Sequence, residues 1–302
     1  MESPSTDSEG RQAGRPSAER PSERRPPPRS LEVKLRDHTR DPIQSLYVAY
    51  RTAYSALTPM QIVQRIGDER ITRQQMLDFI EKRMETGHAS PLEQVWFEFG
   101  IAGVSRAFSH QFVRHRQGIS FEQQSQRYVT FKGGEFPYTV PDSVKRAGYA
   151  EKMEAAFDSL AALYDAMVQA GVPAEDARFV LPNATHTNFK VTVNFLELLH
   201  IADLRLCTRA QWEFRRVVSM IRAEVFRKFP ELGRYIQPKC GELRMGYCDE
   251  PYEDWQACPI GKKRPHKRDV FELFNSYRRG ELAPLDSEDF GVIEREQIDP
   301  RG

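Results

Sequence analysis

Val95-Trp96-Phe97-Glu98-Phe99-Gly100-Ile101 alternates in hydropathy and puts Phe97, Phe99 and Ile101 on one side. That is the period-two pattern of a strand with one buried face. A few residues later the period changes. Residues 105–115 place Ala107, Phe108 and Phe112 at helical steps, and the segment runs out into Arg114-His115-Arg116 and Gly118, the cations and glycine expected where a helix ends. Strand followed at once by helix makes this a mixed chain, and the segments on either side add mostly helix.

Upstream, residues 43–57 and 72–86 read as amphipathic helices, the second with Met76, Phe79, Ile80 and Met84 on one stripe. Downstream, a long helix is predicted from Pro141 to Ala170. Its apolar positions are Met153, Ala156, Phe157, Leu160, Leu163, Tyr164, Met167 and Val168, and Gly171 and Pro173 stop it. Residues 190–206 read as a buried helix. Residues 208–229 read as another, with Phe214, Val217, Val218, Ile221, Val225 and Phe226 inward. The expected class is α/β (α+β), helix-rich with a modest sheet, and no internal repeat is present.

Three regions differ in composition. Residues 1–30 hold six of the twenty prolines and six arginines, with no leucine before Leu31, and are expected to be a disordered Pro/Arg-rich tail. Residues 31–236 carry the globular pattern. Residues 237–302, punctuated by Pro, Gly and Cys and then highly charged, form a C-terminal extension whose role the sequence does not state.

The whole chain has 302 residues, 39% of them apolar, and a net charge of +1. That balance argues against a bulk nucleic-acid coat. The apolar runs are far short of the ~20 residues a membrane helix needs, and the N-terminus has no apolar signal region. Four cysteines are too few for a disulfide framework and suit a reducing cytosol. The expectation is a soluble, cytoplasmic protein.

Familiar cofactor devices are absent. None of the eighteen glycines forms a G-x-G, which removes a Rossmann fingerprint and a P-loop. There is no C-x-x-C or paired-His spacing. Cys240, Cys248 and Cys258 are too widely separated for a standard zinc knuckle, so no metal is expected. What stands out is Gln111-Phe-Val-Arg-His-Arg-Gln-Gly-Ile-Ser-Phe-Glu-Gln-Gln-Ser-Gln-Arg-Tyr128, in which Arg114, Arg116 and Arg127 are accompanied by one acid, Glu122. Guanidinium forks match phosphate oxygens, and Ser and Gln supply neutral donors. On composition alone, phosphate binding and a solvated basic turn are equally good readings. A second polar set, including Arg178, Asn194, His200 and Arg205, lies in the otherwise apolar stretch 178–211. Asn194 within a helix, and Arg205 between Leu204 and Leu206, both require partners; Glu197 and Asp203 are candidates for Arg205.

Arg114-His115-Arg116 followed by Ser125-Gln126-Arg127-Tyr128 resembles the signature of the flavin-dependent thymidylate synthases, with one residue more than usual between Arg116 and Ser125. Gly87-His88-Ala89-Ser90-Pro91-Leu92-Glu93, Ala177-Arg178-Phe179-Val180-Leu181-Pro182, the stretch Asn194–Arg205 and Ala210-Gln211-Trp212-Glu213 resemble further blocks of that family in the same order. The resemblance covers roughly Leu31 to Tyr235. It implies a central antiparallel sheet and an enzyme, a methyltransferase that converts dUMP to dTMP. Methylenetetrahydrofolate would be the carbon donor and NADPH the reductant, acting through tightly bound FAD in a homotetramer with sites between subunits.

Position by position, the resemblance implies FAD binding by Ser90, Arg114, His115, Arg116, Gln123, Asn194 and His200. It implies dUMP binding by Gln111, Ser125, Gln126, Arg127, Arg178 and Arg205, with Arg205 catalytic on the uracil. Leu196 stands where the family usually has Arg. No cysteine nucleophile is implied, and Cys207, in what reads as apolar surroundings, is expected to be inert. No membrane or nucleic-acid partner is expected. The competing readings are a basic-loop nucleic-acid-binding protein and an inactive member of the same family.

Overall fold

The structure is a computed structural model and describes residues 30–131, 136–260 and 264–280. The tail predicted over 1–30 and most of the charged C-terminus therefore lie outside the described residues. The chain begins with β1 (Glu32–His38) and continues through α1 (Pro42–Tyr54), α2 (Pro59–Gly67) and α3 (Arg73–Glu85). A short 3₁₀ turn at Ser90–Gln94 leads into β2 (Trp96–Ser105), α4 (Arg106–Phe112) and β3 (Ile119–Gln123). Then come α5 (Asp142–Arg146), α6 (Ala150–Gln169), α7 (Ala174–Ala177), β4 (His186–Asn194), α8 (Phe195–Arg205) and α9 (Trp212–Lys228). The described residues close with α10 (Pro230–Gly233), α11 (Tyr252–Ala257) and α12 (Lys267–Arg278).

Local chemistry sets the helix starts. Asp41 caps α1 ahead of Pro42, and Thr58/Gln61 and Thr72/Gln75 make reciprocal capping boxes on α2 and α3. The strands form one sheet in the order β1-β2-β4-β3, with every neighbouring pair antiparallel. The expected architecture, helix-rich around a modest central antiparallel sheet, is what the chain adopts.

The main core lies between the sheet and α1, α8 and α9, where Phe97, Phe99 and Ile101 of β2 meet Phe108, Phe112, Phe195, Phe214 and Val217. A satellite cluster of Phe136, Phe157 and Ala161 sits under α6. No helix among the described residues is long and apolar enough to cross a membrane.

Three helical predictions need correction. The helix expected over 141–170 is two, because Gly148 turns the chain at φ +74° between α5 and α6. The helix expected over 190–206 is a strand followed by a helix. Phe189, Val191 and Val193 alternate into the core along β4, and α8 starts only after Asn194. Finally, Leu163 and Phe226, both expected inward, are 47% and 48% exposed.

Candidate functional site

The strand-to-helix junction of β4 and α8 explains Asn194. It is not a mid-helix amide but the N-cap of α8, where its Oδ1 accepts the Glu197 backbone N–H at 2.8 Å. The Asn194 N–H in turn donates to the Gly118 carbonyl at 2.7 Å. Gly118 adopts φ +62°, and a Cβ there would stand 2.2 Å from Asn194 Nδ2. The turn after Arg114-His115-Arg116 is thus clamped onto the start of α8.

Glu197, one turn into α8, reaches His115. The imidazole is buried, with Nδ1 3.2 Å from Glu197 Oε1 and Nε2 accepting Arg205 Nε–H at 3.3 Å. Burial, helped by Arg205 and then His200, holds the His115 pKa down at about 4. The ring is therefore neutral at physiological pH. Its tautomer follows from its partners: Nδ1–H donates to Glu197 and Nε2 carries the lone pair facing Arg205. The contact with Glu197 is a hydrogen bond of a neutral ring, not an ion pair, and burial also raises the Glu197 carboxyl.

Arg205 closes the group. Its guanidinium carbon lies 4.6 Å from the centre of the Phe214 ring, and Nε is the only one of its guanidinium nitrogens with a hydrogen-bond partner among the described residues. Burial, then Arg114, lowers its pKa, yet a guanidinium remains charged. Neither carboxylate anticipated for it is paired with it: Glu197 holds His115, and Asp203 is engaged bidentately by Arg244.

A second group gathers near the start of α4. Arg127 bonds the Glu175 carboxylate at 2.8 Å, while Arg178 Nε donates to the Glu175 backbone carbonyl at 3.0 Å. Ser125 Oγ accepts the Arg127 N–H, and Gln126 is buried with Nε2 unpartnered among the described residues. Arg106, half-buried, lies within electrostatic range of Arg178, and its pKa falls through burial and then that charge. Arg106 opens α4 and Arg114 follows its end, so a helix about 10 Å long separates the two groups.

Ser90 lies in the 3₁₀ turn that packs against α8. Its Oγ meets His88 Nε2 at 3.2 Å, and it lines an open groove of about 1160 Å³ with Arg40, Asp41, Gln44, Ser45 and Glu93. Gln123 turns its amide onto Thr187 Oγ1, Gln111 sits half-buried at the end of α4, and Arg116 and His200 are exposed. The structure therefore joins Arg114, His115, Asn194, His200 and Arg205 in one place and Ser125, Gln126, Arg127 and Arg178 in another. No hydrogen bond or ion pair among the described residues links those two places or ties either to Ser90.

Sequence reasoning gave no site role to Arg106, Phe214 or Glu213. Buried Glu213 accepts Ser105 N–H and Oγ–H at 2.7 and 2.5 Å and so fixes the cap from which α4 springs. Its signals were its place in the block Ala210-Gln211-Trp212-Glu213 and its position between Trp212 and Phe214. Cys207 also differs from expectation. Its surroundings are not wholly apolar, since Sγ lies 3.7 Å from Glu250 Oε1, while burial raises its pKa as expected of an inert thiol.

Comparison with known proteins bears on the family and the fold. Residues 34–231 match the family model "Thymidylate synthase complementing protein". A flavin-dependent thymidylate synthase of Geobacter sulfurreducens is 45% identical over 194 residues, spanning 64% of this chain and 81% of the relative. Another, of Nitratidesulfovibrio vulgaris, is 40% identical over 227 residues, 72% of this chain and 91% of the relative. The fold is shared with a UMP/dUMP methylase, PolB, of Streptomyces cacaoi bound with 5-Br dUMP. That likeness has a TM-score of 0.57 at 19% identity and covers 68% of this chain and 94% of the other. On these matches and the clustering of the motif residues, the chain belongs to the flavin-dependent thymidylate synthases, a family of methyltransferase enzymes.

Proposed function

We propose that this protein converts dUMP to dTMP, taking the one-carbon unit from methylenetetrahydrofolate and the reducing equivalents from NADPH by way of FAD, in a cytoplasmic homotetramer whose sites lie between subunits. The observation that carries the proposal is Arg205, a fixed cation tethered through Nε and an aromatic face while its two terminal nitrogens are unclaimed by any described residue.

Set against the N3–O4 edge of uracil, those terminal N–H groups would donate to O4 and, once N3 has given up its proton, to N3, which favours negative charge on the ring and makes C5 the nucleophilic carbon. Neutral His115 contributes by what it lacks. A protonated ring beside Arg205 would repel it, whereas the unprotonated Nε2 orients it. The phosphate of dUMP, nearly a dianion, suits Arg127, Arg178 and Ser125, with Arg106 adding charge behind them; Gln126 and Gln111 supply amide donors. Arg127 would exchange Glu175 for the phosphate on binding.

The residues present fit FAD. The groove beside Ser90 is roomy, with an apolar wall of Val48, Ala49 and Pro91 and polar groups from Arg40, Gln44 and Ser45, and the Arg114 and Arg116 guanidinium groups have no carboxylate within ion-pair distance among the described residues. Ser90, Arg114, Arg116, Gln123, Asn194 and His200 would hold it, with His115 supporting from beneath because both of its nitrogens are used within the chain. When bound, FAD supplies the reducing equivalents that turn the transferred methylene into a methyl. Cys207 takes no part as a nucleophile: burial keeps it a thiol, and its S–H is given to Glu250.

The test is to purify the protein, record its visible spectrum and follow dUMP by mass spectrometry with each co-substrate withheld in turn. A yellow protein that forms dTMP only with both NADPH and methylenetetrahydrofolate is expected. A colourless protein that binds oligonucleotides with a steep salt dependence, or a flavin-loaded one that forms no dTMP, would contradict the proposal.

A further inference from the structure

All four cysteines of the chain meet at one cavity. Cys207 follows the end of α8, Cys240 and Cys248 lie in the irregular stretch after α10, and Cys258 ends α11. They line a small, partly open space of about 20 Å³ whose other walls include Arg209, Glu250, Asp254, Trp255 and Ile260. That is room for a single ion or water and too little for a multinuclear cluster. Cys240 is within electrostatic range of Cys207, Cys248 and Cys258, and Cys248 is within range of Cys207 and Cys258.

Hydrogen-bond donors are aimed at the sulfurs. Thr208 Oγ1 donates to Cys258 Sγ at 3.2 Å, the Arg209 backbone N–H to Cys207, and the Glu250 backbone N–H to Cys248. Burial favours the thiol form of Cys207, Cys240 and Cys248 in the metal-free chain, and the converging donors support the thiolates that form when a soft metal displaces those protons. The nearby carboxylates are otherwise occupied, since Arg209 bridges Glu250 and Asp254. His266, close by in the chain path, has Nε2 on the Glu250 carbonyl and Nδ1 facing the Arg268 N–H, so neither nitrogen is free to ligate.

We propose that Cys207, Cys240, Cys248 and Cys258 form a structural site for one thiophilic divalent ion of the zinc class, joining the C-terminal extension to the end of α8. The four are free thiols around the cavity, and no three His, Cys, Asp or Glu side chains among the described residues already stand in a coordination arrangement. Binding therefore draws the sulfurs inward to about 2.3 Å from the ion and releases their protons to solvent, which makes affinity rise with pH. The extension has need of such a tie. Among the described residues, α11 is its one regular element between α10 and α12, and its polar anchors to the core include Arg244 to Asp203, the Lys239 N–H to the Asp203 carbonyl, and Arg209 to Glu250 and Asp254. Cys207 lies two residues beyond Arg205, so any effect on turnover rests on the function proposed above. The metal site itself does not.

The test uses the full chain, purified with a thiol reductant. Elemental analysis is expected to find about one zinc per chain. After chelator stripping, Co²⁺ is expected to give the intense visible bands of a tetrahedral thiolate site and its sulfur-to-metal charge-transfer band, displaced by Zn²⁺. Cys248→Ser and Cys258→Ser should each abolish these bands, and Thr208→Val should weaken binding about tenfold. If a serine variant fails to fold, the titration of stripped wild-type protein decides alone. Metal-free protein showing no thiolate bands with Co²⁺ would overturn the proposal. So would cysteines paired as disulfides by mass, or serine variants with undiminished metal. None of these readouts depends on flavin or dUMP.

Discussion

The Arg205 guanidinium leans on a histidine that cannot share its charge: Nε–H points at Nε2 of His115 over 3.3 Å, and burial keeps that ring neutral. The pairing converts a flexible cation at the end of α8 into a directed one, and it has a pH signature. The His115 pKa is about 4 in the folded chain against an ordinary 6.5. Between those values the unfolded chain binds a proton that the folded chain does not, so stability is complete above about pH 6.5 and drains away as pH falls towards 4. The loss is up to about 3 kcal/mol. Glu197, whose carboxyl is raised, works in the opposite sense and softens the acid end of the window. Urea midpoints measured across this range should fall for the native sequence and stay flatter for His115→Gln. Parallel curves would mean that His115 carries no such linkage.

Gly118 and Asn194 form a second coupled pair. Gly118→Ala places a Cβ against the Asn194 amide at a backbone angle that alanine resists, and about 2 kcal/mol or more of stability should be lost. Asn194→Ala alone removes the cap of α8, at about 1 kcal/mol. In the double variant the clash is gone, so its loss should be smaller than the sum of the two. Simple additivity in denaturant titrations would show that the close approach is not what constrains the turn.

Glu213 is predicted to matter for stability rather than chemistry. Glu213→Ala strips the acceptor from both Ser105 donors in a buried setting and should destabilise the protein by about 2–4 kcal/mol. Glu213→Gln, which retains an acceptor oxygen, should recover part of that. Equal melting temperatures for the alanine variant and the native protein would remove Glu213 from the account of α4.

Arg178 should act on affinity for the nucleotide. Its substitution by alanine is expected to raise the KM for dUMP about 10–100-fold while flavin content and the near-ultraviolet spectrum stay unchanged. An unaltered KM would place the phosphate elsewhere.

Much of this arrangement was legible in the residues, and what was missed was missed for definite reasons. The alternation of Phe97, Phe99 and Ile101 announced β2 because one face of that strand is buried and the next is not. The same alternation exists at Phe189, Val191 and Val193, but Phe195-Leu196-Glu197-Leu198-Leu199 follows without a break, so strand and helix merged into one apolar run. Asn194 marked the boundary; it was noticed as a costly amide in a helix when it was in fact the cap.

The site showed the same division. Its arginines were evident from their scarcity of acids, and the family blocks ordered them. The bond between His115 and Arg205 spans ninety positions in sequence and depends on a tautomer set by Glu197, so no local pattern announces it. The cysteines appeared unrelated by spacing because Cys207 belongs to the core and the other three to the extension folded against it.

The central claim is that Arg205 makes uracil C5 reactive. Tritium release from 5-labelled dUMP, compared between the native protein and Arg205→Ala at matched flavin content, tests it most directly. Release that needs both NADPH and methylenetetrahydrofolate in the native protein, and that falls about 10²–10³-fold in the variant, is the predicted result. Release at near-native rates from the flavin-loaded variant would contradict it.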